Sequence, residues 1–141
     1  MNPAIGVKKI QVVAGVIERA TARTGTTDRE ILIARRKPGM QLAGFWEFPG
    51  GKVEPGELPE NSLKRELFEE FSVSVEVGEF IASSYYEYEF AHIFLHAYWA
   101  RHISGEFQLI AHDQLRWVLP SELKNYQLAP ADIPFIEFLL R

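Results

Sequence analysis

Three carboxylates, Glu66, Glu69 and Glu70, are spaced to share one face of a helix. At about 100° of rotation per residue they fall within roughly a 100° arc. Such an arc repels itself: Glu66 and Glu70 stand at the i, i+4 spacing, where like charges cost roughly a few tenths of a kcal/mol. No Lys or Arg is expected on the same arc to offset Glu69. A bound divalent cation removes the penalty. Carboxylate oxygens are the ligands that Mg²⁺ or Mn²⁺ prefers, and Mg²⁺ is usually completed by water and substrate phosphates.

The elements that must position these carboxylates lie just ahead of them. Phe48, Pro49, Gly50 and Gly51 form a turn in which glycine permits close approach of the backbone to a cation or phosphate. Lys52 follows as a cation that a phosphate oxygen could use. The helix is predicted to begin near Pro59, because Pro is tolerated in a first turn and Gly56 lies just before it. Leu63, Leu67 and Phe71 recur at i, i+4 and i+8, which gives the helix an apolar stripe beside the acidic one.

With 141 residues, 47% of them hydrophobic, residues 1–141 read as one domain with a full core. The chain has no Cys, so disulfides, thiolate zinc sites and a cysteine nucleophile are excluded, which suits a reducing cytoplasm. The start MNPAIGVKK lacks the apolar run of a signal peptide, and no stretch approaches the ~20 apolar residues of a membrane helix. A net charge of -4 argues against a nucleic-acid polymer as partner. A small polyphosphate carried in with metal remains compatible. The expected assembly is a monomer or homodimer.

Taken in order, KKIQVVAGVIE is apolar on both faces and reads as a central strand. ERATARTGTTDRE reads as an exposed, hairpin-like loop, and EILIARR as a second strand ending in Arg35 and Arg36. From 73 to 102 two or three antiparallel strands are expected. Tyr86, Tyr88 and Phe90 alternate onto one face there, more in keeping with cross-strand packing than with base stacking. His92, His96 and His102 show no metal-ligand spacing. LPSELKNY reads as a short helix, and LAPADIPFIEFLLR as an amphipathic one with Ile136, Leu139 and Leu140 apolar. Asp132, ahead of it, is a candidate N-cap.

The spacing from Gly51 through Glu57, Arg65, Glu66, Leu67, Glu69 and Glu70 to Val73 resembles the signature of the Nudix hydrolases. GFWEFPGGK is similar to the turn that precedes it in the MutT-type members. Ser72 departs from the pattern, which usually has Gly there, and implies a somewhat different or strained helix exit. The resemblance implies an α/β fold, a Nudix α/β/α sandwich with a central mixed sheet. It also implies Mg²⁺ as cofactor, with Mn²⁺ an alternative. The metal would be held by Glu66, Glu69, Glu70 and a glycine carbonyl at Gly51 or Gly50, with Glu57 and Arg65 holding loop to helix. On the same ground Arg35, the turn from Phe48 to Lys52, and Val53 are expected to meet substrate. LAPADIP resembles the matching segment of bacterial CTP pyrophosphohydrolases, which gives Asp132 a second reading as a contact to the base. An acidic residue expected near Ala111 is missing, and either Asp113 substitutes or the helix glutamates act alone.

The activity so implied is cleavage of a nucleoside triphosphate, CTP, dCTP or an oxidised nucleotide, to monophosphate and pyrophosphate. A hydrolase of dinucleotides or nucleotide sugars is the alternative within the fold. A binding module without chemistry is the alternative outside it, disfavoured because all three helix glutamates are present.

Overall fold

The computed structural model describes residues 7–22, 25 and 28–141. Of the expected exposed loop, residues 23, 24, 26 and 27 lie outside the described residues, as do the first six residues of the chain. The seven strands are β1 (Lys9–Ala20), β2 (Arg29–Arg36), β3 (Trp46–Glu47), β4 (Gly50–Lys52), β5 (Ser74–Glu87), β6 (His92–Ser104) and β7 (His112–Val118). They form a mixed sheet in the order β3-β2-β1-β6-β5, with β4 added to β1 and β7 to β2. β1 and β6 run parallel, from Lys9↔His92 to Ile17↔Ala100, and the other pairs are antiparallel.

β1 is central because its side chains are apolar in both directions. Val13 and Ile17 point to the face covered by helix α1 (Pro59–Phe71), where they meet Leu32, Ala34, Leu63, Leu67 and Phe71. Ala14 and Val16 point to the opposite face, against Ile31, Ile33, Leu123, Phe135 and Leu139. Leu63, Leu67 and Phe71 are fully buried, and each such side chain stabilises the fold by about 1.5–3 kcal/mol. α1 thus starts at Pro59 and packs its apolar stripe as the periodicity predicts.

The second layer is less helical than expected. LPSELKNY forms a 3-10 turn over Pro120–Asn125, and the C-terminal segment forms a 3-10 turn over Ile133–Phe135 followed by α2 (Ile136–Leu139). Leu139 is buried, but Leu140 is exposed. Prolines at 120 and 134 stand in the first turn of each, where no N–H donor is needed.

Ser72 closes α1 in the left-handed region at φ 58° and ψ 33°, its N–H donating to the Phe68 carbonyl at 2.9 Å. Glycine adopts this conformation without the Cβ penalty. Ser72→Gly is therefore expected to raise stability by about 0.5–1 kcal/mol, after the entropy that glycine adds to the unfolded chain is deducted. A denaturant midpoint at or below that of the parent, with unchanged slope, contradicts this.

Candidate active site

The acidic face of α1 is divided by an arginine. Arg65 donates to Glu66 Oε1 and to Glu69 Oε2, each at 3.0 Å, so the expectation that no cation would offset Glu69 is wrong. Arg65 lies off the arc, but its long side chain folds back over it. The same guanidinium donates to both oxygens of Glu57, at 2.8 and 2.9 Å, and to the Lys52 carbonyl at 3.0 Å. Glu57 also accepts from the Ser62 hydroxyl and the Glu54 N–H. Hydrogen bonds from Arg65 and then Ser62 lower its carboxyl to about 2. Glu57 and Arg65 therefore clamp the loop before α1 to the helix.

The carboxylates of α1 differ in their surroundings. Glu66 is buried against the turn so closely that a Cβ on Gly51 would overlap its carboxylate. Desolvation raises its carboxyl, opposed by the hydrogen bond from Arg65. Glu70 keeps a buried oxygen, Oε2, without a hydrogen-bond partner among the described residues. Leaving a buried acceptor unpaired costs about 1–3 kcal/mol, so this atom invites a cation. Glu69 instead stands 55% exposed beside Arg65. Among the described residues, no three His, Cys, Asp or Glu side chains converge as a ready metal cluster. A hard divalent cation fits the Gly51 cradle, Glu66 and the partnerless oxygen of Glu70; Glu69 is not gathered with them.

Gly51 also belongs to a cavity of about 190 Å³ beside β1, lined by Phe48, Gly50, Gly51, Lys52 and Asp132 among the expected residues. Gly50 is required there, since a Cβ would overlap the Val13 carbonyl. Pro49 and Val53 do not line it. The Pro49 carbonyl accepts the Gly15 N–H at 2.7 Å, and Val53 packs in the core under α1.

Arg35 does not reach the cavity either. It makes a two-pronged ion pair with Asp113 at 2.8 and 2.9 Å, which holds that carboxyl below its ordinary value. Asp113 is thereby committed away from the α1 glutamates, so it does not stand in for the acid expected near Ala111. The cause is a register shift. Arg35 pairs with Gln114 but Arg36 with His112, leaving Asp113 as the extra residue of a bulge. The extra residue is on β7, and β2 itself alternates without a break, so Arg36 falls on the side of Leu32 and Ala34; it, rather than Arg35, lines the cavity.

Glu47, Tyr88 and Phe90 line the cavity as well and were not read as site residues. Glu47 accepts from Arg36 at 3.0 Å and from His112 at 2.7 Å. Tyr88 and Phe90 lie beyond the end of β5, stacked on each other at 5.0 Å, and the Tyr88 hydroxyl accepts the Ala131 N–H. The expected aromatic strand face therefore ends at Tyr86, and its continuation serves the cavity. Asp132 occupies the N-cap position of the 3-10 turn but makes no side-chain cap. Its Oδ2 accepts the Phe48 N–H at 3.0 Å. Burial, and then the nearby Glu47, push its carboxyl well above the ordinary range.

Comparison with known proteins agrees with this geometry. The chain is 44% identical over 130 residues to a protein of Escherichia coli K12 named CTP pyrophosphohydrolase, covering 92% of this chain and 90% of that one. It is 31% identical over 134 residues to an 8-oxo-dGTP diphosphatase of the same organism, covering 95% and 98%. The solution structure of the E. coli ORF135 protein superposes with a TM-score of 0.77 at 42% identity, over 99% of this chain and 94% of that one. Residues 10–139 match the NUDIX domain, and with the clamp of Glu57 and Arg65, the glycine turn and the acidic helix in place, the chain belongs to the NUDIX family of hydrolases.

Proposed function

We propose that this chain hydrolyses nucleoside triphosphates to the monophosphate and pyrophosphate, with CTP or dCTP preferred. The observation that carries the reading is one cavity lined both by Gly51, beside Glu66, and by two carboxyl groups of different character, Glu47 and Asp132. The relative named CTP pyrophosphohydrolase supports the substrate class.

The two carboxyls suit the edge of cytosine. Burial favours the protonated form of Asp132, which has one O–H to donate, and the Glu47 carboxylate only accepts. Cytosine offers the complement, an N4 amine that donates and an N3 that accepts, whereas uracil presents the reverse pattern. In this reading Asp132 is the donor and Glu47 the acceptor. Tyr88 and Phe90 give the base an apolar and aromatic surround. The donor and acceptor pair also suits oxidised purine nucleotides, which the 8-oxo-dGTP diphosphatase relative favours as a second substrate group.

The phosphates fall to the turn and α1. Lys52 supplies an exposed cation at the cavity rim. Glu66, Glu70 and the Gly51 carbonyl are the groups that would hold Mg²⁺ or Mn²⁺, with Glu69 at the margin, paired to Arg65. The metal, when bound, neutralises phosphate charge and polarises the phosphorus. The clamp of Glu57 and Arg65 keeps the turn at its distance from α1, so that Glu66 stays under Gly51. The cytoplasm is the compartment proposed for such a substrate.

Rates measured on CTP, UTP, dCTP, dTTP and 8-oxo-dGTP with Mg²⁺ test the reading. kcat/KM is expected to favour the cytosine nucleotides over UTP and dTTP by roughly tenfold or more. Equal rates on all five, or activity confined to dinucleotides or nucleotide sugars, contradict it.

A further inference from the structure

Glu47 receives both of its donors on one oxygen. Arg36 and His112 each bond Oε2, and Oε1 has no partner among the described residues. Two donors on one oxygen fix a carboxylate torsion that is otherwise broad. Arg36 is not independent in this: its Nε donates to the Gln41 carbonyl at 2.6 Å, so its position follows the turn between β2 and β3.

His112 is anchored elsewhere. Its ring is buried and stacks on Phe71, the last residue of α1, at 5.0 Å and 20°. The bulge at Asp113 turns it toward Glu47 while Asp113 turns to Arg35. Its Nδ1 is buried without a partner, which leaves Glu47 as the one polar contact of the ring among the described residues. Packing against Phe71 does not require an imidazole, and an unpaired buried nitrogen is a cost that an all-carbon ring avoids.

We propose that His112 is a positioning residue for base selection: its Nε2–H holds Oε2 of Glu47, so that Oε1 is presented to the cavity. This rests on the reading of Glu47 as the carboxylate that meets the base. His112 does not line the cavity, so its loss acts on selectivity through Glu47 and is read in KM.

The test compares CTP and UTP kinetics for the parent, His112→Phe and His112→Gln, with Mg²⁺ saturating. Phe keeps the stack and removes the donor, whereas the Gln amide reaches about as far as Nε2. In His112→Phe, KM for CTP is expected to rise roughly tenfold with kcat changing far less, lowering the CTP to UTP ratio in proportion. His112→Gln is expected to restore most of that ratio. A parental ratio in His112→Phe, or equal losses on CTP and UTP, overturns the proposal. A parent without CTP preference instead overturns the reading of Glu47 on which it rests. Should His112→Phe not fold, the ring ¹⁵N spectrum of the parent decides. A proton bonded at Nε2 is expected, and a ring protonated at Nδ1 alone overturns the assignment.

Discussion

Glu70→Gln is expected to lower the Mg²⁺-dependent turnover of CTP by about a thousandfold while the protein stays folded. Several kcal/mol of transition-state charge stabilisation depend on a correctly held cation, and about 4 kcal/mol corresponds to a thousandfold in rate. Glutamine keeps the shape of the side chain but halves its oxygens and removes its charge, at the one helix carboxylate that retains a buried oxygen without a partner. Stability is expected to hold or rise slightly, because Arg65 offsets Glu66 and Glu69 but makes no bond to Glu70. Glu69→Gln provides the internal comparison. That carboxylate is exposed and already paired, so its loss is expected to cost about tenfold or less. Near-parental turnover in Glu70→Gln, or a larger loss in Glu69→Gln, would place the cation elsewhere on the helix.

The second large effect concerns the carboxyl pair proposed to meet the base. Glu47→Gln replaces an acceptor by a group that can also donate, which favours the O4 of uracil over the N4 amine of cytosine. The CTP to UTP ratio in kcat/KM is expected to fall by about tenfold or more, since a mispaired buried polar group costs about 1–3 kcal/mol. At Asp132 the two possible variants should part company. Asn keeps an N–H donor and an oxygen for the Phe48 N–H, so Asp132→Asn is expected to retain most of the preference. Asp132→Ala removes both and is expected to flatten it. If Asn is as damaging as Ala, Asp132 acts as an ionised acceptor and the donor role assigned to it is wrong.

The same assignment fixes the pH dependence. Burial raises the Asp132 carboxyl in the folded state above the ordinary value of 3.8. Between that value and the raised one, the folded chain binds the proton and the unfolded chain releases it, so stability falls as pH rises through this window. Asp132→Asn does not titrate. Its melting temperature is expected to overtake that of the parent as pH rises above about 4, and its CTP preference to persist with rising pH where that of the parent declines. Parallel curves for parent and variant would show that Asp132 is not held protonated.

Much of this site can be read along the chain, because local rules govern it. The stripe of Leu63, Leu67 and Phe71 follows the helical period, Pro59 marks the helix start, and Ser72 takes the left-handed exit that a usual glycine would have taken. β1 announces its central place by being apolar on both faces. What was missed lies where alternation breaks. The bulge at Asp113 brings His112 opposite Arg36 and leaves Asp113 to Arg35, and nothing in AHDQLRW signals the change. Tyr88 and Phe90 continue the aromatic spacing of β5 on paper, but β5 stops at Glu87 and the two rings belong to the following turn. Glu47 is separated from its donors by 11 and 65 residues, and from Asp132 by a distance in sequence that only the sheet closes. Asp132 looks like a helix cap because Asp is a favoured one; its actual partner, the Phe48 N–H, is 84 residues away.

The activity proposed is cleavage of a nucleoside triphosphate that depends on a cation held beside Gly51, Glu66 and Glu70. Product analysis of the purified chain with CTP is its most direct measurement, carried out with Mg²⁺ and again with excess chelator. CMP and pyrophosphate in equal amounts with Mg²⁺, and no turnover with chelator, are the result expected. CDP with inorganic phosphate, or undiminished turnover in chelator, would contradict the account.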